Sequence, residues 1–364
     1  MLSVGIQSIA IHLPEGVRTN GWWDKDAIVR RKPSLSRSQP SPPHFYDDAM
    51  KPYLSDTFLG SVERRVVINH ESASSLGIKA ATKVLTAAKI PASDIDCLIV
   101  TSLFDDNIGF GDAGYIAHAL GIGGGAFNIS ATCNGSMSAF LTACGLVQSG
   151  QKKRVLVIAT AQFSRLFDAD DPALRFYGDA SAAFIVGSVE KSFGLLSTES
   201  IHLGETCGTW HLDVIEGQQA PISQRLRLRI DDTVSQVLRA TSEYYLKRTV
   251  DSALLKANVT IEQIDCVALN TPTAWHAEFS ANALGIAKER VVNTFPQNAY
   301  SGPAMVPIHL YMAATQKLIK PGSLVVLYAY GGHSEASAAV LRWSDVSLGE
   351  PPAPAFVVDH ELTL

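Results

Sequence analysis

The sequence predicts an α/β protein of stacked helix and sheet layers, present twice in one chain. Three observations predict it. "LTAAKIPASDIDCLIVTS" (Leu85 to Ser102) and "LLKANVTIEQIDCVALNT" (Leu254 to Thr271) align without a gap, each reading as a helix end, a short polar loop, Ile-Asp-Cys and an apolar strand. "FYGDASAAFIVG" (Phe176 to Gly187) and "AYGGHSEASAAVLRW" (Ala329 to Trp343) are both Tyr-Gly turns entering strands of small residues. Helical and strand periods alternate through each half, the rhythm of layered α/β folds. Because the two matches recur in the same order, the repeat has the length of a domain and divides the chain into residues 1–190 and 191–364.

Taken in order, Val66 to Asn69 leads into a helix over Ser74 to Ala88, then a strand at Cys97 to Ser102 and a helix at Asp112 to Leu120. Ala126, Phe127 and Ile129 suit a buried strand running into Cys133. Behind the cysteine, Met137, Phe140, Leu141, Cys144 and Val147 share one face at helical spacing, and Arg154 to Ala159 is the next strand. The stretch "RRKPSLSRSQPSPPHFYDDAMKPYL" breaks the rhythm with five prolines and reads as a long surface loop, either an insertion without structure of its own or a substrate lid. The tail after Trp343, with "GEPPAPAF", reads as a surface strap.

With 364 residues, 46% of them hydrophobic, the chain can bury a large core. Thirty basic against 35 acidic residues leave a net charge of −5 with no basic stripe, which argues against nucleic acid as a partner. "MLSVGIQSIAIHLPEGVRTN" lacks the basic start and small-residue cleavage site of a signal peptide. No apolar run reaches the roughly 20 residues of a membrane helix, and a cytoplasmic location is expected. Cys97, Cys133, Cys144, Cys207 and Cys266 form no CxxC pair and no metal-ligand spacing with histidine, so reduced thiols and no metal are expected.

Cys133 stands apart because of where it lies in "AFNISATCNGSMSAFLTACGLVQSG", at the junction of a strand and a helix. A helix start offers unpaired N–H groups and the positive end of the backbone dipole, and both stabilise a thiolate. That position suits a nucleophile. A small buried cysteine filling core is the alternative.

These residues carry a resemblance to a known family. The duplicated halves, the strand-turn-Cys-helix and the C-terminal glycine turn resemble the thiolase fold, a duplicated five-layer αβαβα arrangement with two mixed sheets. More narrowly, "VGIQSIAIHLPEGVRTN", "VERRVV", "SATCNGSMSAF", "FYGDASAAFIVG", "LGIAKERVVNTF" and "YGGHSEASAA" resemble β-ketoacyl-acyl-carrier-protein synthase III. The resemblance implies a cysteine that takes an acyl group from an acyl-carrier-protein phosphopantetheine or coenzyme A thioester, with no permanently bound cofactor. It also implies an acyl carrier protein as partner and a homodimer.

The family's histidine and asparagine, which assist decarboxylation of a malonyl thioester and carbon–carbon bond formation, fall elsewhere here. Counting back from "LGIAKERV" places Asn270 at the histidine position, and counting from Pro307 places Tyr300 at the asparagine position. His276 lies six residues beyond Asn270, about 9 Å along a helix, and reads as a surface or core-edge residue. A two-residue slip would put Asn298 in place of Tyr300. In the glycine turn, Gly331-Gly332-His333 puts an imidazole where the family has a third glycine, near Cys133 by resemblance and able to act as a base. The alternative for His333 is packing, or a bond to Glu335, outside the pocket. The tryptophan that stacks on the coenzyme A adenine is replaced by Leu54, and a carrier-contacting arginine by Trp275; Lys152, Lys153 and Arg154, or Arg248, are left as basic groups for an acidic carrier.

Asn270 and Tyr300 are neutral hydrogen-bond donors and cannot replace a readily protonated imidazole. The expected activity is therefore acyl transfer through Cys133 to a small-molecule acceptor in specialised-metabolite biosynthesis. Two alternatives stand beside it: decarboxylative Claisen condensation, and a non-catalytic subunit of a mixed thiolase-fold dimer, against which the intact cysteine turn argues.

Overall fold

The computed structural model describes residues 2–30, 45–168, 171–216, 219, 225–332 and 334–358. Strands β1 (Val4–His12), β2 (Gly16–Thr19) and β3 (Glu63–Val66) open the chain, with short helices α1 (Lys25–Arg30) and α2 (Phe45–Met50) between the last two. Helix α3 (Ala73–Ala88), strand β4 (Cys97–Ser102), helix α4 (Ala113–Leu120), strand β5 (Gly125–Asn128), helix α5 (Gly135–Gln148) and strands β6 (Arg154–Ala161) and β7 (Ala180–Ser188) follow. Strand β8 (Gly194–His202), the hairpin β9 (Trp210–Val214) and β10 (Leu226–Ile230), helix α6 (Val234–Ala257), strand β11 (Cys266–Leu269), helix α7 (His276–Leu284), the single turn α8 (Phe295–Asn298) and helix α9 (Met305–Thr315) come next. Strands β12 (Leu324–Tyr330), β13 (Glu335–Arg342), β14 (Ser347–Leu348) and β15 (Phe356–Val357) close it.

Two mixed sheets are stacked with helices between and outside them. The first runs β14-β1-β7-β6-β4-β5 and the second β11-β12-β13-β8. Apolar faces explain the layers: Phe140, Ala143 and Val147 of α5 and Ile308, Leu310 and Tyr311 of α9 pack between Ile9, Val157 and Phe184 of one sheet and Val325, Leu327 and Leu341 of the other. The outer face of the first sheet is covered by α3 and α4 through Ala80, Val84 and Ile116. That of the second is covered by α6 and α7 through Leu246, Val250 and Phe279. The result is the five-layer αβαβα order. A sheet covered on both faces needs near-continuous apolar strands, and "CLIVT" and "CVAL" supply them.

The repeated segments fold alike. Lys89 and Asn258, the residues closing α3 and α6, both sit at φ 54° in the left-handed region. The aspartate of each Ile-Asp-Cys does the same work: Asp96 accepts the Arg154 N–H at 3.0 Å and Asp265 accepts the Leu324 N–H at 2.8 Å. Each carboxylate thereby fastens the start of the neighbouring parallel strand. The isolated parallel bridge from Val267 to Val291 is the second sheet's counterpart of β5.

Three expectations are corrected. Strand β5 is an edge strand, half-exposed, with Phe127 41% accessible, because only β4 pairs with it. The end of the proline-rich stretch is helical, and Tyr46 and Ala49 of α2 are buried against Trp275 and Phe279; residues 31–44 lie outside the described residues. The tail is more than a strap: β14 extends the first sheet in parallel with β1 and β15 pairs with β2. No helix among the described residues is long and apolar enough to cross a membrane.

Candidate active site

Cys133 occupies a 3-10 turn, Thr132–Asn134, that runs directly into α5. Thr132 adopts φ 46°, a left-handed conformation that is costly for a β-branched residue, about 1–3 kcal/mol. The second repeat has the same turn at Gly302–Ala304 before α9, where the equivalent position is Gly302 at φ 50°. The bend is thus part of the duplicated backbone, strained only where the cysteine stands. It is held there: the Thr132 hydroxyl donates to the Gly332 carbonyl at 3.1 Å. A Cβ on Gly331 would fall 2.2 Å from Thr132 Oγ1 and 2.8 Å from the Asn134 nitrogen, so the close approach requires glycine.

The sulfur lies in an aromatic setting, packed against the cluster that holds Phe163, Phe167, Tyr177 and Tyr300. Phe163 and Tyr177 are 4.6 Å apart between ring centres, and Phe167 stacks on Tyr177 at 5.1 Å. Burial in this low-dielectric region pushes the Cys133 thiol up to about 11, while a hydrogen bond from the Tyr300 hydroxyl pulls it back. This runs against the expectation of a stabilised thiolate: loss of hydration is the larger of the two effects. A thiol in this state needs help to give up its proton.

Asn270 and Tyr300 form a hydrogen-bonded row that ends beside Cys133. Asn270, fully buried at the end of β11, donates from Nδ2 to the Tyr300 hydroxyl at 3.1 Å and to the Tyr330 carbonyl at 2.8 Å, and accepts the Tyr330 N–H at 3.3 Å. The paired N–H and C=O of Tyr330 fix which way the amide points. Both Nδ2 hydrogens are engaged. Tyr300 is in turn fixed by its backbone, its N–H donating to the Phe176 carbonyl at 2.9 Å and its carbonyl accepting the Gly178 N–H at 3.0 Å.

His276 is the first residue of α7 and is buried, with its ring against Phe279 and Tyr330 at 5.2 and 6.0 Å. That corrects the surface reading. The apolar rings keep it neutral, its pKa lowered to about 3. Asn298 ends α8, half-buried, while Tyr300 takes the place beside the sulfur. His333 lies outside the described residues. Trp275 is buried and Leu54 exposed. Lys152, Lys153 and Arg154 stand at the start of β6, whose other end approaches the site; eight strand residues make that about 26 Å.

A sequence model described as 3-Oxoacyl-[acyl-carrier-protein (ACP)] synthase III matches residues 127–204, and its C-terminal counterpart matches residues 254–343. The β-ketoacyl-[acyl-carrier-protein] synthase III of Bartonella bacilliformis is 30% identical over 296 residues, covering 78% of this chain and 88% of that protein. That of Laribacter hongkongensis is 32% identical over 289 residues, with the same coverage of both. The chain belongs to the synthase III family. The fold agrees: the crystal structure of the 3-oxoacyl-[acyl-carrier-protein] synthase III of Aquifex aeolicus VF5 superposes with a TM-score of 0.75 at 24% identity, over 93% of this chain and all of that one. Synthase III proteins are thiolase-superfamily enzymes that transfer and condense acyl groups carried as thioesters.

Within this synthase III chain, several neighbours of Cys133 escaped sequence reasoning. Trp210 of β9 hydrogen-bonds Tyr177 and lies so close to the glycine turn that a Cβ on Gly332 would fall 2.4 Å from its ring. Asn134, Ser138, Glu335 and Ser337 form a polar cluster beneath the cysteine turn. Their signal in the sequence is faint: Asn134 and Ser138 sit four apart on α5, and Glu335 interrupts a run of small residues.

Proposed function

We propose that this synthase III-family chain is an acyltransferase that loads an acyl group from a carrier-protein or coenzyme A thioester onto Cys133. It then delivers the group to an oxygen, nitrogen or sulfur of a small-molecule acceptor in specialised-metabolite biosynthesis. The Cys133 sulfur attacks the thioester carbonyl, the bond to the carrier sulfur breaks, and the thiol proton ends on the departing sulfur. In the second step the acceptor attacks the acyl-cysteine and its proton returns to Cys133. The Tyr300 hydroxyl steadies the sulfur in its anionic moments, Asn270 holds Tyr300, and His333 in the glycine turn is the base that moves the proton. The Cys133 N–H and the glycine turn form the oxyanion site, each such donor contributing a few kcal/mol. Residues 1–190 supply the nucleophile and residues 191–364 its partners.

The observation that carries this reading is the engagement of both Asn270 Nδ2 hydrogens by Tyr330 and Tyr300. Decarboxylation needs donors aimed at a developing enolate oxygen, and Asn270 has no hydrogen left to give. Intact mass spectrometry after incubation with acyl thioesters tests the proposal: an acyl adduct that Cys133→Ala abolishes is expected, and no adduct from any carrier-linked or coenzyme A donor refutes it. Malonyl-dependent release of carbon dioxide would favour decarboxylative condensation, the second reading, which rests on the names of the relatives. The edge strand β5 and the exposed Phe110 and Phe127 support pairing of two copies, to be checked by light scattering.

A further inference from the structure

The Cys133 turn is strained, and strain persists only where neighbours over-determine it. One clamp is the Thr132 hydroxyl on the Gly332 carbonyl. The other comes from the first residue of β13. Glu335 Oε1 accepts from Asn134 Nδ2 at 2.8 Å and from the Ser138 hydroxyl at 2.5 Å. Asn134, fully buried, also reaches Ser337 Oγ at 3.0 Å, which is bonded to Ser200 Oγ at 2.9 Å. The Glu335 carbonyl accepts the Gly331 N–H at 3.0 Å, so the same residue fixes the glycine turn and the residue following the cysteine.

We propose that Glu335 is a positioning residue: its carboxylate holds Asn134 and Ser138 so that the adjacent sulfur stays on the Tyr300 hydroxyl. This rests on the reading of Cys133 as the nucleophile. Hydrogen bonds to a carboxylate are shorter and stronger than neutral ones, which suits a clamp that works against backbone strain. Reach matters more than charge. Glu335→Asp keeps the charge but falls one methylene short of spanning Asn134 and Ser138, whereas Glu335→Gln keeps the length and an acceptor oxygen.

The test is the rate of Cys133 alkylation by iodoacetamide at pH 8, which needs no substrate and so reads the sulfur whether or not acyl transfer is the activity. Glu335→Asp is expected to slow alkylation about three- to tenfold, as loss of the tyrosine contact would. Glu335→Gln should stay within about twofold of the parent, since it restores the contacts. Glu335→Asp combined with Tyr300→Phe should be no slower than Tyr300→Phe alone, because both act on one hydrogen bond. An aspartate variant alkylated at the parental rate overturns the proposal, as do a glutamine variant as slow as the aspartate one and effects that multiply in the double variant. With a thioester that acylates the parent, the aspartate variant should lower the acylation rate and leave KM unchanged; the reverse split also counts against positioning.

Discussion

Replacing Tyr300 by Phe removes a single oxygen from a buried site and leaves its shape intact. That oxygen donates to Cys133 and accepts from Asn270 at 3.1 Å. A hydrogen bond to a charged group contributes about 1.5–3 kcal/mol, and 1.36 kcal/mol moves a pKa by one. The thiol, already raised to about 11, should rise further by about one to two pH units, and the thiolate fraction at pH 8 should drop about 10- to 100-fold. A more basic thiolate is a better nucleophile, with a Brønsted slope of about 0.4–0.5, which recovers roughly three- to eightfold. The net expectation is alkylation about three- to tenfold slower at pH 8. Iodoacetamide rates between pH 7 and about 10, followed by mass, measure it. A variant alkylated at the parental rate across that range would refute the hydrogen-bonded row as the influence on the sulfur.

Other consequences are open to measurement. Gly331→Ala forces a Cβ to 2.2 Å from Thr132 Oγ1 and 2.7 Å from the Ala131 carbonyl, contacts that backbone cannot yield cheaply; denaturant melts should show a loss of about 3 kcal/mol. Asn270→Leu strands the buried N–H and C=O of Tyr330 and should cost about 2–4 kcal/mol in the same assay. His276 and His309, buried and neutral with pKa lowered to about 3 and about 4, take up protons only on unfolding between those values and the ordinary 6.5. Their stabilisation is whole above pH 6.5 and is lost as pH falls, about 1.4 kcal/mol per pH unit for each. His276→Phe, which suits the surrounding rings, should flatten the decline between pH 6.5 and 4, and an unchanged slope in urea titrations would contradict the assignment.

Backbone features repeated in the chain are legible in its sequence. The two Ile-Asp-Cys segments announce paired strands because each aspartate and each apolar run serves its own sheet. Counting back from "LGIAKERV" and from Pro307 singles out Asn270 and Tyr300, which the structure joins by a hydrogen bond of 3.1 Å. What the sequence withheld depends on three-dimensional surroundings. The loss of hydration that raises the thiol comes from Phe163, Phe167 and Tyr177, about 30 to 44 residues downstream of Cys133, and no local pattern records it. His276 reads as a surface or core-edge residue because the rings around it come partly from β12 and from α2, the latter at the end of a stretch whose prolines read as loop. Trp210 and Glu335 reach the site from elements whose own periodicity says nothing of a nucleophile.

The duplication also explains why the site is assembled from unlike parts. The same bend precedes α5 and α9, with Thr132 at φ 46° in one and Gly302 at φ 50° in the other, and the residue after it is Cys133 in the first and Pro303 in the second. Only one bend carries a cysteine. The second has become a support: two residues before it, Tyr300 is held by the Phe176 and Gly178 backbone and turns its hydroxyl to the sulfur of the first. A carboxamide at Asn270, tied to Tyr330 at both ends, stiffens that hydroxyl but cannot take a proton. Such a row can favour an anionic sulfur and is ill suited to protonating an enolate, which supports the proposed exchange of acyl groups between heteroatoms.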